Sequence, residues 1–392
     1  MSNEGSTLLN DLFVAYYDAR KNKRNTINQL RFEMNLEHNL LELYRHIKAR
    51  TYKPKQSIAF IVTKPVTREV FAADFSDRVV HHLIHNYVNP IFERIFIEDS
   101  YSCRKGKGTS YGVKRLEHHV KSCSQNYTRD CYILKLDIQS YFMSIDRKIL
   151  HEIIKSILSK YAERKDANGV MWKDKFDYDT VLYLIDIVVN QDPTSNYIMK
   201  GDPTGWEGLP LGKSLFHAPP HRGLPIGNLT SQLFSNVYLN GFDHYIKRTL
   251  GFKHYGRYVD DFYIIHEDKE VLRKAIKQIS DYLQEHLKLN VHPKKIYLQH
   301  YTKGALFVGA YVRPYRMYVN HRIKKNFKSR MYQLKDHGNN PVKVRDSVNS
   351  YLGVMAHYRS FKIRREIMKQ HAWVFKYGYV QDCCSVFRLN SY

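Results

Sequence analysis

Arg257-Tyr258-Val259-Asp260-Asp261-Phe262-Tyr263-Ile264-Ile265-His266-Glu267 is the stretch on which the reading of this chain turns. β-Branched and aromatic residues on both sides of two aspartates predict a hairpin, with the Asp260-Asp261 pair at its tip, where neighbouring carboxylates reach solvent. Adjacent like charges repel unless a cation neutralises them, so the pattern asks for a metal. Taken alone, an Asp-Asp turn is an ordinary polar loop. A second carboxylate stands in a matching context, however: in Cys131-Tyr132-Ile133-Leu134-Lys135-Leu136-Asp137-Ile138-Gln139-Ser140-Tyr141-Phe142 a β-rich apolar run closes on Asp137 and helical spacing follows. If the two strands are sheet neighbours, Asp137, Asp260 and Asp261 meet and hold two Mg²⁺ ions about 4 Å apart. The carbonyl of Ile138 adds a fourth oxygen. Oxygen donors with no His or Cys beside them favour Mg²⁺ over zinc.

"LDIQSYF" (136–142) and "YVDDF" (258–262) resemble the two carboxylate motifs of a reverse transcriptase palm. The resemblance continues in the family's order. It covers "KPVTREVFAADFSDRVVHHLI" (64–84) and "SYSCRKGKGT" (100–109) in the fingers and "GLPIGNLTSQLFSNVYLN" (223–240) at the nucleotide pocket, then "LNVHPKK" (289–295) and "LFVGAYV" (306–312). Seven blocks in register are highly specific. Within the pocket block, Ile226-Gly227-Asn228-Leu229-Thr230-Ser231-Gln232 resembles the reverse transcriptases of diversity-generating retroelements more than those of group II introns. Each motif match is a hypothesis that its structural context has to support.

The resemblance implies an α+β right hand of fingers, palm and thumb, with an antiparallel palm sheet backed by helices. It implies that Asp137, Asp260 and Asp261 are catalytic metal ligands, and that Lys64 and Arg68 clamp the incoming triphosphate. Standing alone, those two would be surface cations beside a turn. Phe142, five positions after Asp137, stands where the family places an aromatic gate against a 2′-hydroxyl. Gly227 and Gln232 fall in the nucleotide pocket, and Lys294 or Lys295 approaches the leaving group. Ile226 replaces a glutamine of many relatives, which removes a polar check on pairing. The implied function is copying of a template-repeat RNA from dNTP substrates into adenine-mutagenised cDNA, together with a small basic helical accessory oligomer. The alternatives are a stand-alone reverse transcriptase of phage defence, an intron-like enzyme, or a catalytically idle RNA-binding scaffold.

Composition agrees with a polyanionic partner. The 392 residues carry 62 Lys and Arg against 38 Asp and Glu, a formal charge of +24. Binding that neutralises phosphates releases counterions and weakens with salt. The 43% of hydrophobic residues suffice for a sizeable core,. No apolar run approaches the roughly 20 residues of a spanning helix, and "MSNEGSTLLN" has no signal-peptide pattern. The expected location is the cytoplasm of a bacterium, or of one carrying a phage, without membrane association. Five cysteines lack a C-x-x-C spacing, so neither a disulfide framework nor a zinc site is expected,. The same holds for His81, His82 and His85, which are expected to pack or to meet phosphate.

Along the chain, an N-terminal helical region and fingers are expected over 1–130, a palm over 131–318 and a thumb over 319–392. Helical stripes are expected at 149–161 and at 270–288 (Leu272, Ala275, Ile276, Ile279, Leu283, Leu287). Residues 162–222 read as a palm insertion of loops, Gly201–Gly205 and Ala218–Pro220 among them. In the thumb, Ile323, Phe327, Met331 and Leu334 form an apolar stripe flanked by Lys324, Lys325, Lys328, Arg330 and Lys335. That arrangement suits a helix gripping the template-product duplex, with no further nuclease domain beyond it.

Overall fold

A computed structural model describes residues 4–21, 25–63, 66–337 and 340–390; Lys64 lies outside them. In chain order come the helices α1 (Glu4–Arg20), α2 (Ile27–Met34) and α3 (Leu36–Lys48), the strands β1 (Ser57–Val62) and β2 (Arg68–Ala72), and the helices α4 (Phe75–Ile95) and α5 (Thr109–Cys123). β3 (Tyr132–Asp137), α6 (Tyr141–Ser144), α7 (Arg147–Ala162), α8 (Tyr178–Asn190), β4 (Tyr197–Met199), α9 (Leu229–Tyr238) and α10 (Asn240–His244) follow. The remainder is β5 (His254–Tyr258), β6 (Asp261–His266), α11 (Lys269–Leu287), β7 (Tyr297–His300), β8 (Ala305–Phe307), β9 (Ala310–Arg313), β10 (Arg316–Val319), α12 (His321–His337), α13 (Pro341–Ala356), α14 (Phe361–Gln370), β11 (Gly378–Gln381) and β12 (Val386–Leu389). The expected α+β class is what this order delivers.

The elements group into two compact units, each assembled from three stretches of chain. Met1–Cys103, Asp137–Gly251 and Ile276–Pro293 make the first; Arg104–Leu136, Phe252–Ala275 and Lys294–Tyr392 make the second.

At the centre of the first unit lies α4. Asp74 caps its N-terminus by accepting from the Ser76 amide at 3.0 Å,. Val79, Val80, Leu83, Ile84, Val88, Ile91 and Phe92 are all buried along it. Apolar residues at consecutive as well as i+3 and i+4 positions bury more than one face, as a core helix requires. His81 faces inward too, its Nδ1 2.7 Å from the Thr230 hydroxyl. Burial drops its pKa to about 3, so the ring stays neutral and the histidine cluster begins as packing,. Buried Asp77 accepts from the Tyr52 hydroxyl at 2.7 Å and the Lys55 amide at 2.8 Å, which fastens the extended 52–55 segment to α4.

In the same unit β1 pairs antiparallel with β2 and parallel with β4, giving the order β2-β1-β4. The 162–222 segment, expected to be loops, therefore contributes both α8 and a strand to this sheet. α8 starts on an Asp177 cap (2.5 Å to the Thr180 hydroxyl) and buries Val181, Leu184, Ile185 and Val189. Those apolar residues recur at helical spacing, a signal that the two proline-containing loops after it obscured. Buried Arg147 ties the middle of this segment to its C-terminal end, donating to the carbonyls of Gln191 at 3.1 Å, Arg222 at 3.2 Å and Gly223 at 2.9 Å. On α7 the buried line is Leu150, Ile154 and Leu158. Of the expected stripe Ile149, Ile153, Ile154, Ile157 and Leu158, only Ile154 and Leu158 are buried, while Ile149, Ile153 and Ile157 are partly covered and Leu150 joins the line.

The second unit holds a four-stranded sheet of order β5-β6-β3-β7, in which β5 with β6 and β3 with β7 are antiparallel. A smaller antiparallel sheet, β10-β9-β8, precedes a helical region whose core includes Phe327, Met331, Leu352, Ile367 and Phe387. The stripe Phe327, Met331 and Leu334 on α12 is buried as its spacing predicts, while Lys325, Lys328 and Lys335 are exposed. All five cysteines are free thiols. No helix among the described residues is long and apolar enough to cross a membrane.

One consequence concerns pH. Burial pushes the Asp77 carboxyl up to about 6 from an ordinary 3.8, against the opposing pull of its hydrogen bonds. The folded chain thus favours the protonated form. The stability this confers is complete below about pH 4 and lost as pH rises through about 6. Asp77→Asn should flatten that dependence; denaturant unfolding of both proteins at about pH 4.5 and pH 7 measures it.

Candidate active site

Between β5 and β6 the register pairs Tyr258 with Asp261, so only Val259 and Asp260 cross the turn. The expected tip was Asp260-Asp261. Instead Asp261 is the first residue of β6, because the closing pair of the ladder takes it into the strand. Val259 adopts φ 57°, a left-handed conformation that costs a β-branched residue strain,. A fully buried Arg257 supports it, donating from Nη1 to the Val259 carbonyl at 2.9 Å. Lys135 on β3, the neighbour of β6, places its ammonium 2.9 Å from the Asp261 carboxylate. Both side chains are about one-fifth exposed, so the pair is only lightly screened,. Lys135 was not singled out from the sequence, although a lysine inside the apolar run Tyr132–Leu136 was a visible signal. Its position two residues before Asp137 puts both side chains on one sheet face.

β3 ends at Asp137, whose carbonyl accepts from the His292 amide at 2.8 Å, while the Gln139 amide donates to Asn290 at 2.9 Å. These two bonds flank the bridge between Ile138 and Val291. In an antiparallel ladder that leaves the Ile138 N–H and C=O pointing away from the Val291 segment. The donor set offered here is carboxylate and carbonyl oxygen, which suits a hard divalent ion. Among the described residues, no three His, Cys, Asp or Glu side chains are grouped closely enough to hold a metal by themselves. The Lys135 contact accounts for the orientation of Asp261.

Ser140, at φ 50°, turns the chain into α6 and presents Phe142, half-buried. The pocket block is laid against this turn and against β2. The Leu224 amide donates to the Phe142 carbonyl at 2.8 Å, the Phe71 amide to Ile226 at 3.0 Å, and the Ala73 amide to the Asn228 side chain at 3.1 Å. Gly227 between them has φ 125°, and a Cβ there would stand 2.8 Å from Val70 and 3.3 Å from the Phe71 carbonyl. Gln232 is exposed on α9 while Ser231 and Leu233–Tyr238 around it are buried. An outward glutamine on a buried helix is free to face a ligand. The first unit thus brings Phe142, Ile226 and Gly227 together beside the strand that begins at exposed Arg68.

Lys294 and Lys295 are exposed in the turn before β7. Of the α12 cations, Lys325 and Lys328 are exposed and Lys324 is partly covered, while Arg330 reaches the Ser347 hydroxyl at 3.3 Å. Arg330 is thus partly engaged within its own unit rather than wholly available to a ligand.

The model of the family described as reverse transcriptase (RNA-dependent DNA polymerase) matches residues 62–312. Protein YkfC of Escherichia coli K12 is 23% identical, the match covering 59% of this chain and 60% of that protein. Among solved structures, a telomerase from Candida albicans bound to a fragment of telomeric RNA aligns with a TM-score of 0.49 and 12% identity, covering 84% of this chain and 58% of its own. A telomerase from Candida tropicalis without RNA aligns with a TM-score of 0.48 and 12% identity, over 83% and 59%. The chain therefore spans about 60% of the length of the curated relative it matches.

Gly227→Ala combines a disfavoured φ with a contact to backbone. It should cost roughly 1–3 kcal/mol, read as a lower midpoint of chemical unfolding, because the Phe71–Ile226 bond cannot survive the shift.

Proposed function

The chain belongs to the reverse transcriptase family, and on that premise we propose that it is an RNA-directed DNA polymerase of a diversity-generating retroelement. The observation that carries the polymerase reading is the four-stranded sheet, in which the strand ending at Asp137 neighbours the hairpin bearing Asp260 and Asp261. In this reading Asp137, Asp260 and the carbonyl of Ile138 are the principal oxygens for two Mg²⁺ ions. Asp261 is the weaker third carboxylate, available once it leaves Lys135. When bound, such a pair of ions acidifies a primer 3′-hydroxyl and neutralises the triphosphate and the leaving pyrophosphate.

The protein's share is positioning. Lys64, Arg68 and one of Lys294 and Lys295 meet the triphosphate as charge-assisted donors. Phe142 stands under the sugar and rejects a 2′-hydroxyl by clash rather than by affinity. Gly227 lets the backbone approach, and Gln232 offers an amide to the nucleotide. Lys324, Lys325, Lys328 and Arg330 act as a set on duplex phosphates. The net charge of +24 suits a structured template-repeat RNA and its cDNA as partners,. A small basic helical accessory oligomer would have to meet acidic patches on this chain or be bridged by the RNA. The retroelement subtype rests on the Ile226–Gln232 block. There an apolar Ile226 supplies no hydrogen bond with which to check the pair, and misincorporation opposite template adenine follows.

Primer extension on an RNA template with Mg²⁺ and dNTPs tests the polymerase. Asp260→Ala should lower synthesis about a thousandfold or more while its thermal unfolding temperature stays within a few degrees of wild type. No extension by the wild type would overturn the activity. Sequencing the product tests the subtype: errors should concentrate opposite adenine and fall several-fold in Ile226→Gln. Errors spread evenly over the four template bases would leave a polymerase of the defence or intron-like kind.

A further inference from the structure

We infer that residues 197–218 form the rear wall of the nucleotide pocket, and that Glu69 is the positioning residue that locks this wall behind Phe142. The inference rests on the polymerase reading above and assigns that reading a sugar-selecting element, residues 197–218, outside the seven sequence blocks quoted above.

Glu69 lies on β2 next to Arg68 and is 1% exposed. A buried carboxylate is costly unless donors surround it. Its three donors come from one short stretch far along the chain: Trp206 Nε1 at 2.8 Å and the Ser214 hydroxyl at 2.7 Å on one oxygen, the Leu215 amide at 2.6 Å on the other. Charge-assisted bonds of this kind are directional as well as strong, so they fix where the 206–215 stretch stands. Two further attachments hold the beginning of the 197–218 segment. β4 adds in parallel to β1, and the Lys200 amide continues the ladder to the Ala59 carbonyl at 2.8 Å.

What this stretch covers gives it a function. Ala59, Phe71, Met143 and Leu215 form a small buried cluster, and packed on it are Trp206 and Phe216 from the stretch together with Phe142 and Ile226. Phe71 holds Phe216 at a centroid distance of 5.4 Å. The two pocket residues thus share one apolar support with the stretch that Glu69 anchors. A gate that works by collision selects only if its ring has nowhere to retreat, and close packing behind it supplies that resistance. Loosening the Glu69 contacts frees Trp206 and Leu215, and Phe142 can then yield to a 2′-hydroxyl.

The experiment compares kcat/KM for a ribonucleotide and its deoxynucleotide opposite the same template base. Trp206→Phe keeps an aromatic, though smaller, side chain and removes one donor; Glu69→Gln keeps the size and turns one acceptor into a donor. Each should raise the relative use of the ribonucleotide by about tenfold. In a Phe142→Ala background neither change should add to the loss of discrimination, since all act through one ring. Lys173→Ala, which breaks the exposed Lys173–Glu163 pair at 2.8 Å in the same insertion, should leave the ratio unchanged. An unmoved ratio in Trp206→Phe, whatever the thermal stability does, overturns the inference and leaves Glu69 as an anchor of the fold alone. A ratio that rises equally in Lys173→Ala overturns it too. A wild type that polymerises separates these outcomes from failure of the function itself; one that makes no DNA removes both.

Discussion

Charge placed against a sheet core has to be compensated, and that constraint shapes the whole candidate site. Asp261 enters the first position of β6 rather than the turn, so its carboxylate is only about one-fifth exposed, and Lys135 from the adjoining strand supplies the opposite charge. Lys135 and Asp137 then lie on one face because strand side chains alternate. With Asp261 drawn into the ladder, Val259 must take up the left-handed turn position, and the buried guanidinium of Arg257 holds its carbonyl there. A sheet, a strained turn and an ion pair are in this sense one arrangement.

The same rule organises the first unit. Asp77, Glu69, His81 and Arg147 are all buried, and each finds its partners in a segment distant in sequence. Because an unpaired buried polar group costs far more than a formed hydrogen bond returns, each of these acts as a register pin. Asp77 ties the extended segment to α4. His81 ties α4 to α9. Arg147 ties Gln191 in the 162–222 insertion to its C-terminal end, and Glu69 draws residues 206–215 onto β2. The nucleotide-pocket block is held by backbone bonds to the same β2 strand, so one strand aligns Arg68, the pocket block and the insertion.

For function, the arrangement separates chemistry from selection. The proposed chemistry needs oxygen ligands at strand ends, which a rigid sheet supplies with little reorganisation. Selection needs a shaped cavity. The proposed gate rests on apolar packing around Phe142 and Ile226, to which the insertion contributes Trp206, Leu215 and Phe216.

Local pattern carried much of this in the sequence alone. Runs of apolar, aromatic and β-branched residues gave the strands that end at Asp137 and flank Asp260, and helical spacing gave the buried lines Leu272, Ala275, Ile279 and Leu283 on α11 and Phe327, Met331 and Leu334 on α12,. Those signals are legible because burial repeats along a single element. The Val259 turn, the Lys135–Asp261 pair, the parallel docking of β4 on β1 and the clasp of Glu69 by Trp206, Ser214 and Leu215 were not legible. Each joins residues brought together only when the chain closes on itself, and their chemistry differs from that of an ordinary polar side chain only once water has been excluded around them. Residue types and their spacing determined which groups could act; the tertiary structure decided which of them meet, because the cost of burying charge is set by neighbours that sequence separation hides.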